Sequence, residues 1–262
     1  MKSFYKYQPF KEKHLISLLN NKILKFSNPG SFNDPWDCKA NYIIPKSIDE
    51  KNEVLDFFKK AHAKNKSYYS DSYRLKLVNN MLNNNQIFEN AINQMSNEVN
   101  FAIDEQYRVF CLTEHPDSIL MWSHYASSHS GICIEFNTDF YPFRLSDGIQ
   151  KLKYVMQYPQ YKILDERHEP LIVKSNHWKY ESEWRLIAEE KSKAKSEKTI
   201  KTENGLFIFD TKSIKSIILG SMMKIEDQKC VQDIIQEFTP HVIIKKANIS
   251  KTRYEVEIIS QG

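Results

Sequence analysis

The feature that most limits how this chain can fold is the uneven placement of its two hydrophobic periods. From Ile48 to about Gln106 the sequence is rich in Lys, Asn, Glu and Gln, and its apolar residues, among them Val54, Leu55, Leu75, Val78 and Leu82, recur at spacings of three and four, as helices require. After this block the pattern changes to short apolar or alternating runs that predict strands at Tyr107–Thr113, Gly131–Phe136, Gln150–Val155, Trp184–Glu189, Leu206–Phe209, Ile214–Leu219, His241–Ala247 and Tyr254–Ile259. Two helical signals interrupt them, Ser118–Ala126 and Glu226–Phe238, the second with Val231, Ile234, Ile235 and Phe238 on one face. Helices gathered early and strands late predict an α+β fold: a single mixed, mainly antiparallel sheet domain over residues 1–262 with a helical insertion at about 48–106.

The opening reads as strand, helix, strand, loop. Phe4–Tyr7 alternates, Lys11–Asn20 carries Leu15, Ile16, Leu18 and Leu19 on a helical stripe, and Ile23–Ser27 is apolar before a turn-rich stretch. The Asn run 79–85 predicts a break between helices. The charged run 191–201 reads as a solvated hairpin loop between two strands. No internal repeat and no Pro- or Gly-rich linker divides the chain.

Composition narrows the class of molecule. With 262 residues, 41% hydrophobic and 13% aromatic, the chain has the means to bury a core and is too rich in rings for a disordered segment. The net charge of +4 is spread along the chain, which permits a nucleic-acid partner without demanding one. Cys38, Cys111, Cys133 and Cys230 form no CxxC pair and no zinc ladder, so reduced, mostly buried thiols are expected. No run approaches the roughly 18 apolar residues of a membrane span, and MKSFYKYQPF lacks a signal-peptide core; no membrane partner and a cytoplasmic location are the expectations.

Chemistry concentrates in a few clusters. In Phe32-Asn33-Asp34-Pro35-Trp36-Asp37 the proline stiffens a turn that holds Asn33 and Asp34. In Met121-Trp122-Ser123-His124-Tyr125 a helix puts Trp122 and Tyr125 on one face and His124 elsewhere; His124 is a candidate acid, base or ligand. On an extended Glu181-Ser182-Glu183-Trp184-Arg185, two carboxylates and a guanidinium share a face, which suits a ribose hydroxyl or a developing cation, and like-charge crowding raises one carboxylate's pKa. Solvated turns, a packed histidine and a surface salt-bridge ladder are the plain alternatives. Tyr5 and Tyr7 share a face of the first strand, with Lys6 opposed. GxGxxG, GxxxxGK[ST], HExxH and GxSxG are all missing, which removes support for dinucleotide Rossmann folds, P-loop NTPases, zincins and α/β-hydrolases.

In their order, YKY, LKFSNPGSFNDPWDC, VFCLTE, MWSHYASSHSGICIEF, WKYESEWRLI and SIILG resemble the bacterial family of domain of unknown function 2971 across nearly the whole chain. A more distant resemblance runs to ADP-ribosyltransferases: an opening strand, a helix, a second strand ending at Ser27, and a late Glu181-Ser182-Glu183 similar to the ExE of that group. The pattern of that group has Arg or His on the first strand, where this chain has Tyr5, Lys6 and Tyr7. The resemblance implies NAD as a substrate in a cleft that includes Tyr7, Ser27, Asn33, Asp34, Trp122, Tyr125 and Arg185. It implies Glu183 on the ribose hydroxyl and Glu181 or His124 as the base, with protein, nucleic acid or water as acceptor. A setting in phage defence or as a toxin belongs to the same implication. Two other readings stand beside it. One is a metal-dependent nuclease or phosphoesterase using Asp34, Asp37, Glu181 and Glu183 as hard oxygen ligands; the other is a non-enzymatic sensor or partner-binding module.

Overall fold

The computed structural model describes residues 3–64, 80, 83–144, 149–162, 169–193 and 199–260. In chain order its strands are β1 (Ser3–Gln8), β2 (Ile23–Lys25), β3 (Tyr107–Thr113), β4 (Ile132–Asn137), β5 (Ile149–Lys151), β6 (Lys153–Val155), β7 (Val173–Ser175), β8 (Glu183–Glu190), β9 (Ile200–Thr202), β10 (Leu206–Ile208), β11 (Ile214–Leu219), β12 (Ile243–Ile249) and β13 (Val256–Ser260). The helices are α1 (Glu12–Leu19), α2 (Ile48–Lys64), α3 (Asn85–Gln106), α4 (Ile119–Tyr125) and α5 (Ile225–Phe238). Nine strands make one sheet in the order β13-β12-β11-β4-β1-β3-β8-β5, with β9 beside β8. Only β11–β12 and β8–β9 pair parallel in it; the other ladders are antiparallel, so the fold is α+β with a mixed, mainly antiparallel sheet. Parallel neighbours need a crossover, and α5 supplies the one between β11 and β12.

The middle strands are covered on both faces. Along β4, Ile132, Ile134 and Phe136 point into a large core with Phe4, Phe110 and Ile217, while Cys133 points to the other side with Tyr7, Trp122, Ile218 and Ala247, as the two-residue period of a strand dictates. Leu15, Leu18 and Leu19 of α1 and Val231, Ile234 and Ile235 of α5 close the first face; α4, through Met121 and Trp122, closes the second. The helical block keeps an apolar cluster of its own, in which Val54, Leu55, Phe88 and Ile92 meet Tyr42 and Tyr161. Asn84 caps α3, its side chain accepting from the N–H groups of Gln86 and Ile87. That is the end of the Asn run expected to break the helices; Leu75, Val78, Asn79 and Leu82 lie outside the described residues.

Four local expectations need correction. The second strand stops at Lys25 and pairs with β10 in a separate ribbon, because Ser27 turns to bridge Val109 with hydrogen bonds of 2.8 and 2.9 Å in both directions. The run Gln150–Val155 is two strands, since Leu152 is buried and its N–H leaves the ladder for the carbonyl of Glu183 at 3.1 Å. The charged stretch after β8 is not a hairpin, because β9 returns parallel to β8; residues 194–198 of it lie outside the described residues. Glu181 is not on a strand: residues 176–181 form a 3-10 turn and Ser182 is left-handed at φ 44° before β8 begins.

The turn before β4 is wound so tightly that it dictates a glycine elsewhere. Ser127, Ser128 and His129 have φ of 47, 53 and 67°, unusual for residues with a Cβ. The carbonyl of His129 approaches the end of β11, where Gly220 donates to Gly131 O at 2.9 Å. A Cβ on Gly220 would lie 2.1 Å from the carbonyl oxygen of His129. Gly220→Ala is therefore expected to cost about 3 kcal/mol, read as a lower urea midpoint with an unchanged slope.

Candidate functional site

The nine-stranded sheet is nearly split at its centre. β1 pairs with β4 along Ser3–Gln8 and β3 pairs with β8 along its full length, but β1 meets β3 in register only at Tyr5 and Thr113. Beyond that pair the strands diverge and leave backbone groups facing a gap. Lys6 reaches across it, its Nζ donating to the carbonyl of Cys111 at 3.3 Å. Burial pushes its ammonium below the usual lysine range, against the opposing pull of Cys111 and Glu183.

A cavity of about 340 Å³ opens at this gap, with Tyr5, Tyr7, Ser27, Asn33 and Tyr125 among its walls. Asp37, Lys174, Glu181, Glu183 and Arg185 form a buried charged group on one side, and Lys6 also lines the cavity. With Lys6 beside it, the group sets three carboxylates against three cations. Lys174 lies at its centre, 2.5 Å from Glu181, 2.8 Å from Glu183 and 3.5 Å from Asp37. Arg185 is 0% exposed and each of its N–H bonds has an acceptor. Its Nε donates to Glu183 at 2.7 Å, one terminal nitrogen to Leu171 O at 2.9 Å and to Cys38 Sγ at 3.1 Å, and the other to both oxygens of Asp37 at 2.9 and 2.7 Å. The ring of Phe32 covers the guanidinium at 5.4 Å.

The two glutamates are driven in opposite directions. Burial raises both, but for Glu183 the charges of Arg185 and Lys174 and the hydrogen bond from Arg185 overcome it, and its carboxyl is held well below the usual range. For Glu181 burial wins: the pull of Lys174 is offset by the neighbouring Glu183, and the carboxyl stays above its ordinary value. Tyr125 donates to its Oε1 at 2.5 Å; burial first and then Glu181 push the phenol upward, so it remains a donor. Carboxyls forced apart in this way are the usual signature of divided acid and base duties.

Local structure explains how each group arrives. Glu183 and Arg185 share a face because β8 begins at Glu183, and the left-handed Ser182 swings Glu181 back to the same side. Asp37 ends a turn fixed at its start by Asn28, whose side chain accepts from Gly30 N at 2.7 Å and donates to Asp104 O at 3.0 Å. Further on, the Asp34 carboxylate accepts from Trp36 N at 2.9 Å. Asp34 is thereby committed to its own turn, as Asx side chains before a proline often are.

Of the residues singled out from sequence, Glu181, Glu183, Arg185, Tyr7, Ser27, Asn33 and Tyr125 line this one cavity, so the FNDP, WSHYA and YESEWR segments meet. Asp34 lines a second, adjacent groove. Trp122 is fully enclosed behind the wall, its indole N–H donating to Pro116 O at 2.9 Å and its ring edge-on to Tyr7 at 5.0 Å. His124 is exposed on α4, its ring 6.2 Å from that of Tyr180, and is not among the cavity's lining residues. Sequence reasoning passed over Lys174. Its signal was a charge closing the apolar run Leu171-Ile172-Val173, where a lysine enters the protein only with partners. Cys38 and Cys111 also flank Arg185, and burial pushes both thiols up, away from reactivity.

The second groove, of about 430 Å³, shares Asn33, Asp37 and Lys174 with the first and carries Trp36, Tyr158 and Trp178. Among the described residues no helix is long and apolar enough to cross a membrane.

With this geometry in hand, comparison with known proteins adds one finding. The family model described as protein of unknown function (DUF2971) matches residues 121–159, a stretch that includes Tyr125 of the cavity and Tyr158 of the groove. No curated protein and no solved structure matches the chain.

Proposed function

We propose that the chain is an enzyme that takes NAD into the split between β1 and β3 and transfers or hydrolyses its ADP-ribosyl group. The observation that carries this reading is the pair Glu181 and Glu183, shifted in opposite directions on one cavity wall around a shared Lys174. Arg185 and Lys174 hold Glu183 as a carboxylate, its pKa pushed well down, on the buried wall of the cavity. Such a wall favours the positive charge that develops at ribose C1 as the bond to nicotinamide breaks. The electron pair of that bond departs with neutral nicotinamide. Tyr5, Tyr7 and Tyr125 supply ring faces and edges for a flat pyridinium.

Glu181 is the base. As a carboxylate with a raised pKa it is better matched to neutral pH than an ordinary glutamate. It takes the proton of the attacking O–H or N–H while the new bond to C1 forms. Arg185 does not touch substrate in this scheme; with every N–H engaged, it positions Glu183 and Asp37. A divalent-metal reading has less support, because the place between the three carboxylates is filled by the ammonium of Lys174.

The test is nicotinamide release from NAD across pH. Wild type is expected to gain activity as pH rises through a limb that lies above the ordinary carboxylate value of 4.5, the direction in which Glu181 is shifted. In Glu181→Gln that limb is expected to vanish, with turnover down about a hundredfold. A limb that survives the substitution unchanged sinks Glu181 as the base.

A further inference from the structure

We infer that the groove beside the cavity, built on Trp36, Tyr158 and Trp178, binds a nucleobase and presents it as the acceptor. The acceptor role rests on the transfer reading above; the binding does not.

Trp36, Tyr158, Trp178 and the buried Tyr161 line this one groove, and two of them are open to solvent: Trp36 is 62% exposed and Tyr158 40% exposed. Both are held in place, Trp36 through its backbone and Tyr158 through its hydroxyl. The backbone N–H of Trp36 is tied to the Asp34 carboxylate at 2.9 Å between Pro35 and the buried Asp37. Tyr158 is tied by its hydroxyl to Lys39 O at 3.0 Å. The third ring, Trp178, has the Lys174 ammonium 5.2 Å from its centroid, within cation–π range. A volume of about 430 Å³ admits a nucleotide-sized group and no folded partner.

The occupant that fits is flat, aromatic and polar at its edge. Stacking platforms of Trp and Tyr accept any base because each has a π face. Gln157 and His177, both on the groove wall, supply the hydrogen-bonding groups that a base edge needs. Because Lys174 and Asp37 belong to both walls, a base held here lies next to the cavity in which ribose C1 would be exposed. The step then balances with NAD as the other reactant. An N–H nitrogen of the base bonds to C1, the C1–nicotinamide bond breaks with its electrons leaving on nicotinamide, and the N–H proton passes to Glu181.

The experiment titrates adenosine monophosphate, and separately a short oligothymidylate, into the full chain, followed by tryptophan fluorescence and calorimetry. Saturable binding is expected, weakened about tenfold or more in Trp36→Ala and largely kept in Trp36→Phe, with circular dichroism unchanged because Trp36 lies on the surface. Binding of the mononucleotide alone assigns a free nucleotide; tighter binding of the oligomer assigns a single strand. No saturable binding of either probe, or affinity indifferent to Trp36→Ala, overturns the inference. Turnover of NAD with no base binding would overturn it while leaving the transfer reading in place. Base binding through Trp36 without NAD turnover would keep the site and remove its acceptor role.

Discussion

Arg185→Met is expected to destabilise the protein by about 3–5 kcal/mol and lower the thermal midpoint by roughly 10 °C or more. The side chain it replaces has no exposure and joins the turn after β2 to β8 through Asp37. Methionine keeps much of the length and none of the charge. It leaves Asp37 and Glu183 buried, with Lys174 the remaining cation of the group, and the cost is that of carboxylates that have lost a partner rather than of a contact removed. Two further variants separate these effects. Arg185→Lys restores the charge but not the forked donors, so about half the loss is expected to remain. The double variant Arg185→Met with Asp37→Asn is expected to be less destabilised than the sum of its parts, because removing one unpaired carboxylate relieves the penalty created by the other change. Strict additivity would mean that Arg185 and Asp37 do not act as a unit.

Glu183→Gln is expected to reduce NAD turnover by about a thousandfold, almost all of it in kcat. The substitution conserves shape and removes the charge that faces the developing cation, so substrate in its ground state loses little and the transition state loses most. The amide also places an N–H2 group near the donors of Lys174 and Arg185, which costs about 1–3 kcal/mol of stability. The two effects are told apart by measuring turnover well below the variant's unfolding midpoint. A drop in activity that tracks loss of folded protein, with kcat per folded molecule unchanged, would assign Glu183 to structure alone.

Much of the scaffold is legible residue by residue, because strand and helix periods are local. The run Ile214–Leu219 is β11 to the residue, and the apolar face Val231, Ile234, Ile235 is the one α5 buries. The turn chemistry around Asn28 and Asp34 likewise follows from nearby residues. What is not local is harder to read. Arg185 and Asp37 are 148 residues apart in the chain, and nothing in either segment names the other. The pairing of Glu181 with Glu183 was anticipated on an extended segment, yet it comes from a 3-10 turn and a left-handed Ser182. Both routes bring the carboxylates together, so the sequence pattern ExE does not distinguish them. Trp122 and Tyr125 share a helical face as expected, but depth along the helix separates them: Trp122 is sealed in the core while Tyr125 reaches Glu181. Lys174 escaped notice because its role depends on groups brought to it by the 3-10 turn that ends at Glu181, by β8 and by the turn after β2.

The split between β1 and β3 is also invisible in sequence. Neither strand carries a break residue, and only the register shows that they part after Tyr5 and Thr113. That parting creates the cavity on which the functional reading depends, and Lys6 spans it with a hydrogen bond to Cys111.

The most direct test of the whole account is nicotinamide release from NAD by the purified chain, run beside Glu183→Gln at the same concentration of folded protein. Release by wild type that falls about a thousandfold in the variant is the predicted result. No release by wild type, or equal release by both, would contradict the account.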